Sequence, residues 1–279
     1  MSRIFLLKKD TSAKNGNLLT VYKKFKMKHL IAWPKNGLGD RIKLTASAWA
    51  AAEEMGRSFA IRWIPGRGCD AHWHDLFQTN MAVFLGDEDR CYEGHDHQQL
   101  HREGLLKRYE GKQVDHIKDS DHKWIEACAG YFCNGWNHKE LLNPYLKKLV
   151  VPLPDIHEKI DQCMQNFTGN TIGVHVRRTY GGFPSKTFAK IEEFIDTYTN
   201  SKVFVCVDTP SDLDEFKMYG DRLIYLEQKN KNRTVDGMKE ALADFCLLSM
   251  CQEMVGTLNS SFSQMAQMLN TTKRETILI

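Results

Sequence analysis

The chain has 279 residues, 42% apolar and 26% charged, enough for one large or two modest domains with real cores. Its 38 basic and 35 acidic side chains leave a net charge of only +3, which argues against polyanion binding and gives no reason to expect nucleic acid as a partner. The longest small-and-apolar stretch, LTASAWAAA, is too short to cross a bilayer, so no transmembrane segment is expected. The eight cysteines form no CxxC pair and read as reduced thiols of a cytoplasmic protein.

Residues 1–26 are Lys-rich and precede the first convincing strand, so they read as a basic N-terminal extension. A strand over His29–Trp33 is followed by the glycine-bearing turn PKNGLGD, a helix over Arg41–Met55 in an amphipathic setting, and a strand over Ser58–Trp63. This is a βαβ unit whose first turn can bring backbone close to a ligand. From Pro65 to about Asn143 the pattern is irregular and rich in His, Asp, Trp and Gly, as in loops that shape a cleft.

The proline-marked segment VVPLP, at 150–154, separates an N-terminal unit, 27–150, from a C-terminal unit, 151–279. The second unit alternates regularly. Helices over Asp155–Phe167 and near Thr187–Tyr198 precede the strands TIGVHV and KVFVCVD, and Pro210 opens a further helix before RLIYL. A long helix over Val235–Cys251, a short strand EMVGT and a last helix over about Ser260–Leu269 complete it. Strands separated by helix-length crossovers imply parallel sheets, hence an α/β protein of two Rossmann-like halves across a cleft.

The run TIGVHVRRTY delivers His175, Arg177 and Arg178 to a strand's carboxyl end, where ligands collect in open α/β sheets. Guanidinium forks carry permanent charge in a fixed donor geometry suited to a pyrophosphate. Asp208 ends the next strand at the same edge. Asn259, Ser260 and Ser261 sit at a helix start, where hydroxyls and free N–H groups seat anions. In the first unit, Asn36, Gly37, Gly39, Asp40 and Arg41 form the turn expected to face the cleft. The CDAHWHDLF loop offers Asp75 and His72, with His74, to deprotonate a hydroxyl. The same loop lacks a second ligand group for zinc, and the DxD strings at 87–89, 119–121 and 212–214 read as polar surface, so no metal is expected.

The fragments NGLGDRIKLTASAWAAAEEMGRSFAIRW, IGVHVRRTY, VFVCVDTP and ALADFCLLSMCQEMVGTLNSSFSQMAQML together resemble the fucosyltransferase superfamily, most closely its α-1,6- and protein O-fucosyltransferase group with bacterial and viral relatives. The resemblance implies a GT-B fold and an inverting, metal-independent transfer of fucose from GDP-fucose to a hydroxyl of a glycan or glycoconjugate, with no cofactor. It implies that Arg177 clamps the departing β-phosphate, with His175 near the base and Arg178 in support. It also implies that Asp244 receives the guanine N1–H and amino group, that Asp208 stands for the first aspartate of a TDDP motif whose second is Thr209 here, and that Arg233 faces the nucleotide. Tyr180 replaces the aspartate that relatives carry after RRT, and GGFPSK supplies no acid, so the base is sought in Asp75 or His72. Two further readings stay open: the same fold with a UDP-sugar such as UDP-xylose, and a nucleotide-sugar-binding module without catalysis.

Overall fold

The computed structural model describes residues 28–79, 81–84, 97–110, 120–128, 139–178, 185–227, 232–270 and 277–278. Residues 1–26, the acidic string at 87–89, and Tyr180 lie outside them.

The first unit is built on strands β1 (His29–Trp33), β2 (Ser58–Arg62), β3 (Val83–Phe84), β4 (Leu106–Glu110) and β5 (Trp124–Cys128) in the order β3-β2-β1-β5-β4. Every pairing is parallel. Helix α1 (Leu38–Glu54) crosses from β1 to β2, and α2 (His97–Arg102) precedes β4. The region read as irregular thus contains β4 and β5, and β5 lies directly beside β1 in register Ile31↔Glu126. Its strand signal is masked by charge, because Glu126 is fully buried yet ion-paired to Arg108 at 2.7 Å and Arg62 at 3.9 Å.

The second unit has β6 (Ile172–Val176), β7 (Val203–Val207), β8 (Leu223–Ile224), β9 (Met254–Gly256) and β10 (Ile277–Leu278) in the order β10-β9-β6-β7-β8, again all parallel. All five residues of β6 and of β7 are buried, as expected of valine-rich strands in a parallel sheet covered on both faces. Helix α3 (Lys139–Leu149) leads to α4 (Pro154–Met164), whose first residue is proline. Helices α5 (Ser185–Thr197), α6 (Val235–Met250) and α7 (Ser261–Leu269) follow. The segment opened by Pro210 is not an α-helix but a run of 3₁₀ turns over Pro210–Arg222, broken at Gly220, where φ is 52° and ψ −127°.

α1 is not amphipathic. Twelve of its 17 residues are buried, because β1 and β2, α3 and α7 enclose it on several sides. Its alanines permit this: small side chains let neighbouring backbones approach. The extreme case is Gly39, where an added Cβ would lie 2.4 Å from the Phe262 nitrogen and 2.7 Å from its Cα. α7 therefore crosses back onto the first unit, and the N-termini of α1 and α7 meet.

Candidate functional site

In the C-terminal sheet the chain leaves β6 toward β7 on one side and has β9 on the other, so the crevice between the ends of β6 and β9 is a topological switch point. Arg177 is the first residue beyond β6 and Thr257 the first beyond β9. The Thr257 hydroxyl accepts the Arg177 backbone N–H at 3.0 Å and donates to the His175 carbonyl at 3.2 Å. That double hold fixes the backbone from which the Arg177 side chain departs.

A cleft of about 800 Å³, counting space open to solvent, lies here between the two units. From the first unit it takes Gly37 to Asp40, at the start of α1. From the second it takes His175 and Arg177 at the end of β6, Cys206 to Asp208 at the end of β7, one face of α6, and Ser261 and Phe262 at the start of α7. Two helix N-termini thus point their unsatisfied N–H groups and positive dipole ends toward the same space as Arg177, an arrangement that favours anions.

The residues expected to face the ligand divide into three groups. Gly37, Gly39, Asp40, His175, Arg177, Asp208, Arg233, Asp244 and Ser261 all line the cleft. His175 is buried, its Nδ1 2.6 Å from the Ser263 Oγ and its ring stacked on Phe262 at 4.8 Å. Asp244 is 4% exposed and reaches the neighbourhood of Cys163 on α4, whose thiol is pushed up to about 11 by burial and by the Asp244 charge. Arg233 is exposed at the cleft mouth, and its carbonyl accepts the Asp70 N–H at 2.7 Å, joining the loop after β2 to the turn before α6.

A second group supports the walls without lining them. Asn36 takes φ 68°, and its carbonyl accepts from Arg41 Nε at 3.1 Å. Arg41 is itself buried, its guanidinium 4.9 Å from the Trp63 ring centre, and burial pulls its pKa below the ordinary value despite the nearby Cys69. Asn259, at φ 61°, turns the chain into α7, and Ser260 is the buried N-cap of that helix, without a side-chain capping bond. Backbone geometry explains both asparagines, which tolerate the left-handed region better than most residues.

The third group faces elsewhere. The Arg178 N–H donates to Asp208 Oδ1 at 2.9 Å, but its guanidinium pairs with Asp212 at 3.1 Å and with Glu215. Asp212 belongs to the third DxD string, so that string braces an arginine. Asp75 and His72 close a single 3₁₀ turn, Trp73–Asp75, in which the Asp75 carboxylate accepts the His72 N–H at 2.8 Å. Neither lines the cleft. Among the described residues, no three His, Cys, Asp or Glu side chains are grouped to hold a metal ion, and no helix is long and apolar enough to cross a membrane.

Sequence reasoning missed Thr257, Phe262 and Glu240. A threonine directly after a strand flanking the switch point is a signal that a strand-order reading exposes. Phe262 sits one residue beyond the serines already singled out. Glu240 falls four residues before Asp244, on the same helix face, and is 7% exposed at the cleft wall.

No family model matches the chain, and no curated protein matches it by sequence. Solved structures do. Fucosyltransferase NodZ from Bradyrhizobium superposes with a TM-score of 0.61 at 20% identity over 87% of this chain and 93% of its own. A variant of Arabidopsis thaliana FUT1 in complex with GDP gives 0.59 at 17% identity, covering 90% of this chain and 70% of that one. POFUT1 in complex with GDP-fucose gives 0.54 at 13% identity, over 90% and 97%. The chain therefore has the GT-B fold, two Rossmann-like halves with parallel sheets across a cleft, that it shares with these fucosyltransferases.

Proposed function

We propose that the protein is a glycosyltransferase that moves fucose from GDP-fucose to a hydroxyl of a glycan or glycoconjugate, by a single displacement with inversion and without a metal ion. The observation that carries this reading is the convergence of Arg177, the two helix N-termini and Asp244 on one cleft. The first two suit a diphosphate and the last suits guanine. Structures of the same fold hold GDP or GDP-fucose, which favours this donor over a UDP-sugar.

In the reaction, the acceptor oxygen forms a bond to the anomeric carbon as the bond from that carbon to the β-phosphate oxygen breaks. The negative charge growing on GDP is met by the Arg177 guanidinium and the N–H groups of α1 and α7, electrostatic stabilisation that is in place before the step begins. With Asp75 and His72 away from the cleft, Asp40 is the first unit's carboxylate on its wall among the described residues, and it takes the acceptor proton.

Thermal-shift titration with GDP, GDP-fucose, UDP and UDP-xylose tests the reading. A nucleotide at a hundred times its Kd stabilises by about 2.7 kcal/mol, so GDP and GDP-fucose raise Tm by several degrees and the uridine compounds do not. Equal stabilisation by UDP, or none by GDP, overturns it. Release of GDP from GDP-fucose in the presence of an acceptor separates an enzyme from a binding module.

A further inference from the structure

α6 presents two carboxylates to the cleft one helical turn apart, Glu240 and Asp244, both buried at 7% and 4% exposure. A diphosphate cannot use either, because it offers acceptors only and repels anions. A guanosine diphosphate has two places with hydrogen-bond donors to give a carboxylate: the N1–H and amino edge of the base, and the ribose hydroxyls. Four residues of helix rise about 6 Å, a separation on the scale of one nucleoside moiety to the next.

The order along the helix agrees with this. Asn232 and Arg233 precede α6 and Gly237 lies in its first turn, all on the cleft, so this end of the helix, with its arginine and positive dipole, suits the phosphate side of a nucleotide that also meets Arg177. Asp244 lies farther along, beside Cys163. Glu240 falls between them, where the sugar of a nucleotide laid along the helix falls between its phosphates and its base. We infer that Glu240 accepts hydrogen bonds from the ribose hydroxyls and makes this site selective for ribonucleoside over deoxyribonucleoside diphosphates. The inference rests on the reading of the cleft as a GDP-sugar site.

Calorimetric titration of the full chain with GDP, 2′-deoxy-GDP, 3′-deoxy-GDP and IDP, which lacks the guanine amino group, tests it. The wild type is expected to bind at least one deoxy nucleotide about tenfold more weakly than GDP, since a hydrogen bond to a charged group is lost. In Glu240→Gln that penalty falls below about threefold while the preference for GDP over IDP stays. In Asp244→Asn the reverse holds. Absence of a deoxy penalty in the wild type overturns the inference even if the variants fail to fold. So does a Glu240→Gln protein that keeps the full penalty, or that loses the preference for GDP over IDP. Each of these results leaves GDP binding intact, whereas a wild type that binds no GDP overturns the donor reading as well.

Discussion

The hydroxyl of Thr257 holds the backbone of Arg177 from across the switch point, accepting its N–H at 3.0 Å while donating to the carbonyl two residues earlier. Removing the hydroxyl at constant shape leaves both of these groups without that partner. Thr257→Val is expected to cost about 1–2 kcal/mol of stability. It is also expected to reduce kcat about tenfold or more, because the clamp loses its fixed origin. Thr257→Ser keeps both bonds and stays close to the wild type. Parallel Tm and turnover measurements on the two variants check this, and equal turnover in wild type and Thr257→Val contradicts it.

Arg177→Ala removes the charge proposed to meet the leaving group. A fall in kcat/KM of about 10²–10³ is expected, the scale of losing one preorganised donor, with Tm within a few degrees of the wild type because the residue is only half-buried. A variant with wild-type turnover rules out the clamp.

Asp40→Asn is isosteric and keeps the start of α1 intact while abolishing proton acceptance. Turnover is expected to drop by about 10²–10⁴ with GDP affinity changed little, the signature of a base that acts on the acceptor. If GDP affinity falls in step with kcat, Asp40 belongs to donor binding instead.

Gly39→Ala sets a methyl against the backbone of Phe262, which cannot rotate away as a side chain would. The two helix starts must separate. Overpacking of this kind costs about 1–3 kcal/mol, and the cleft between the helices loses its shape, so Tm and GDP affinity fall together. Thermal melts with and without GDP read both.

Alkaline pH weakens the fold through its thiols. Burial pushes Cys246 up to about 12, and burial with the Asp244 charge pushes Cys163 up to about 11, from an ordinary value of 9.0. The unfolded chain releases these protons at the ordinary value, so it binds fewer protons than the native state above pH 9. The thiol contribution is therefore fully present below about pH 9 and is lost as pH rises toward 11–12. Melting temperatures between pH 7 and 11 are expected to fall above 9, and Cys246→Ala to flatten that fall.

The second unit was legible because each of its central strands is buried on both faces and writes itself as an apolar run, IGVHV and VFVCV, followed at once by a polar residue. The first unit was legible only as far as β2. There the strand beside β1 buries Glu126 against Arg62 and Arg108, and a carboxylate inside a strand reads as surface until its partners are known. The site divides the same way. The place of Arg177 on the cleft is visible from its position after a buried strand, whereas the search for a base in Asp75 or His72 starts from an acid missing after RRT, and these two residues close their own turn. Arg178 shows the limit most plainly: it is adjacent to Arg177 in sequence, yet Asp212 and Glu215 claim it. Ion pairs between separate elements leave no periodic trace.

The meeting of α1 with α7 carries a consequence for how the molecule comes into being. Lys43 of α1 reaches Gln264 of α7 at 3.4 Å, across 221 positions of sequence. A nascent chain can therefore assemble its first sheet long before the partner of Gly39 has been synthesised. Contacts that distant close late and slowly. Affinity for the donor should thus emerge only once α7 has been synthesised, and no fragment lacking that helix should acquire it.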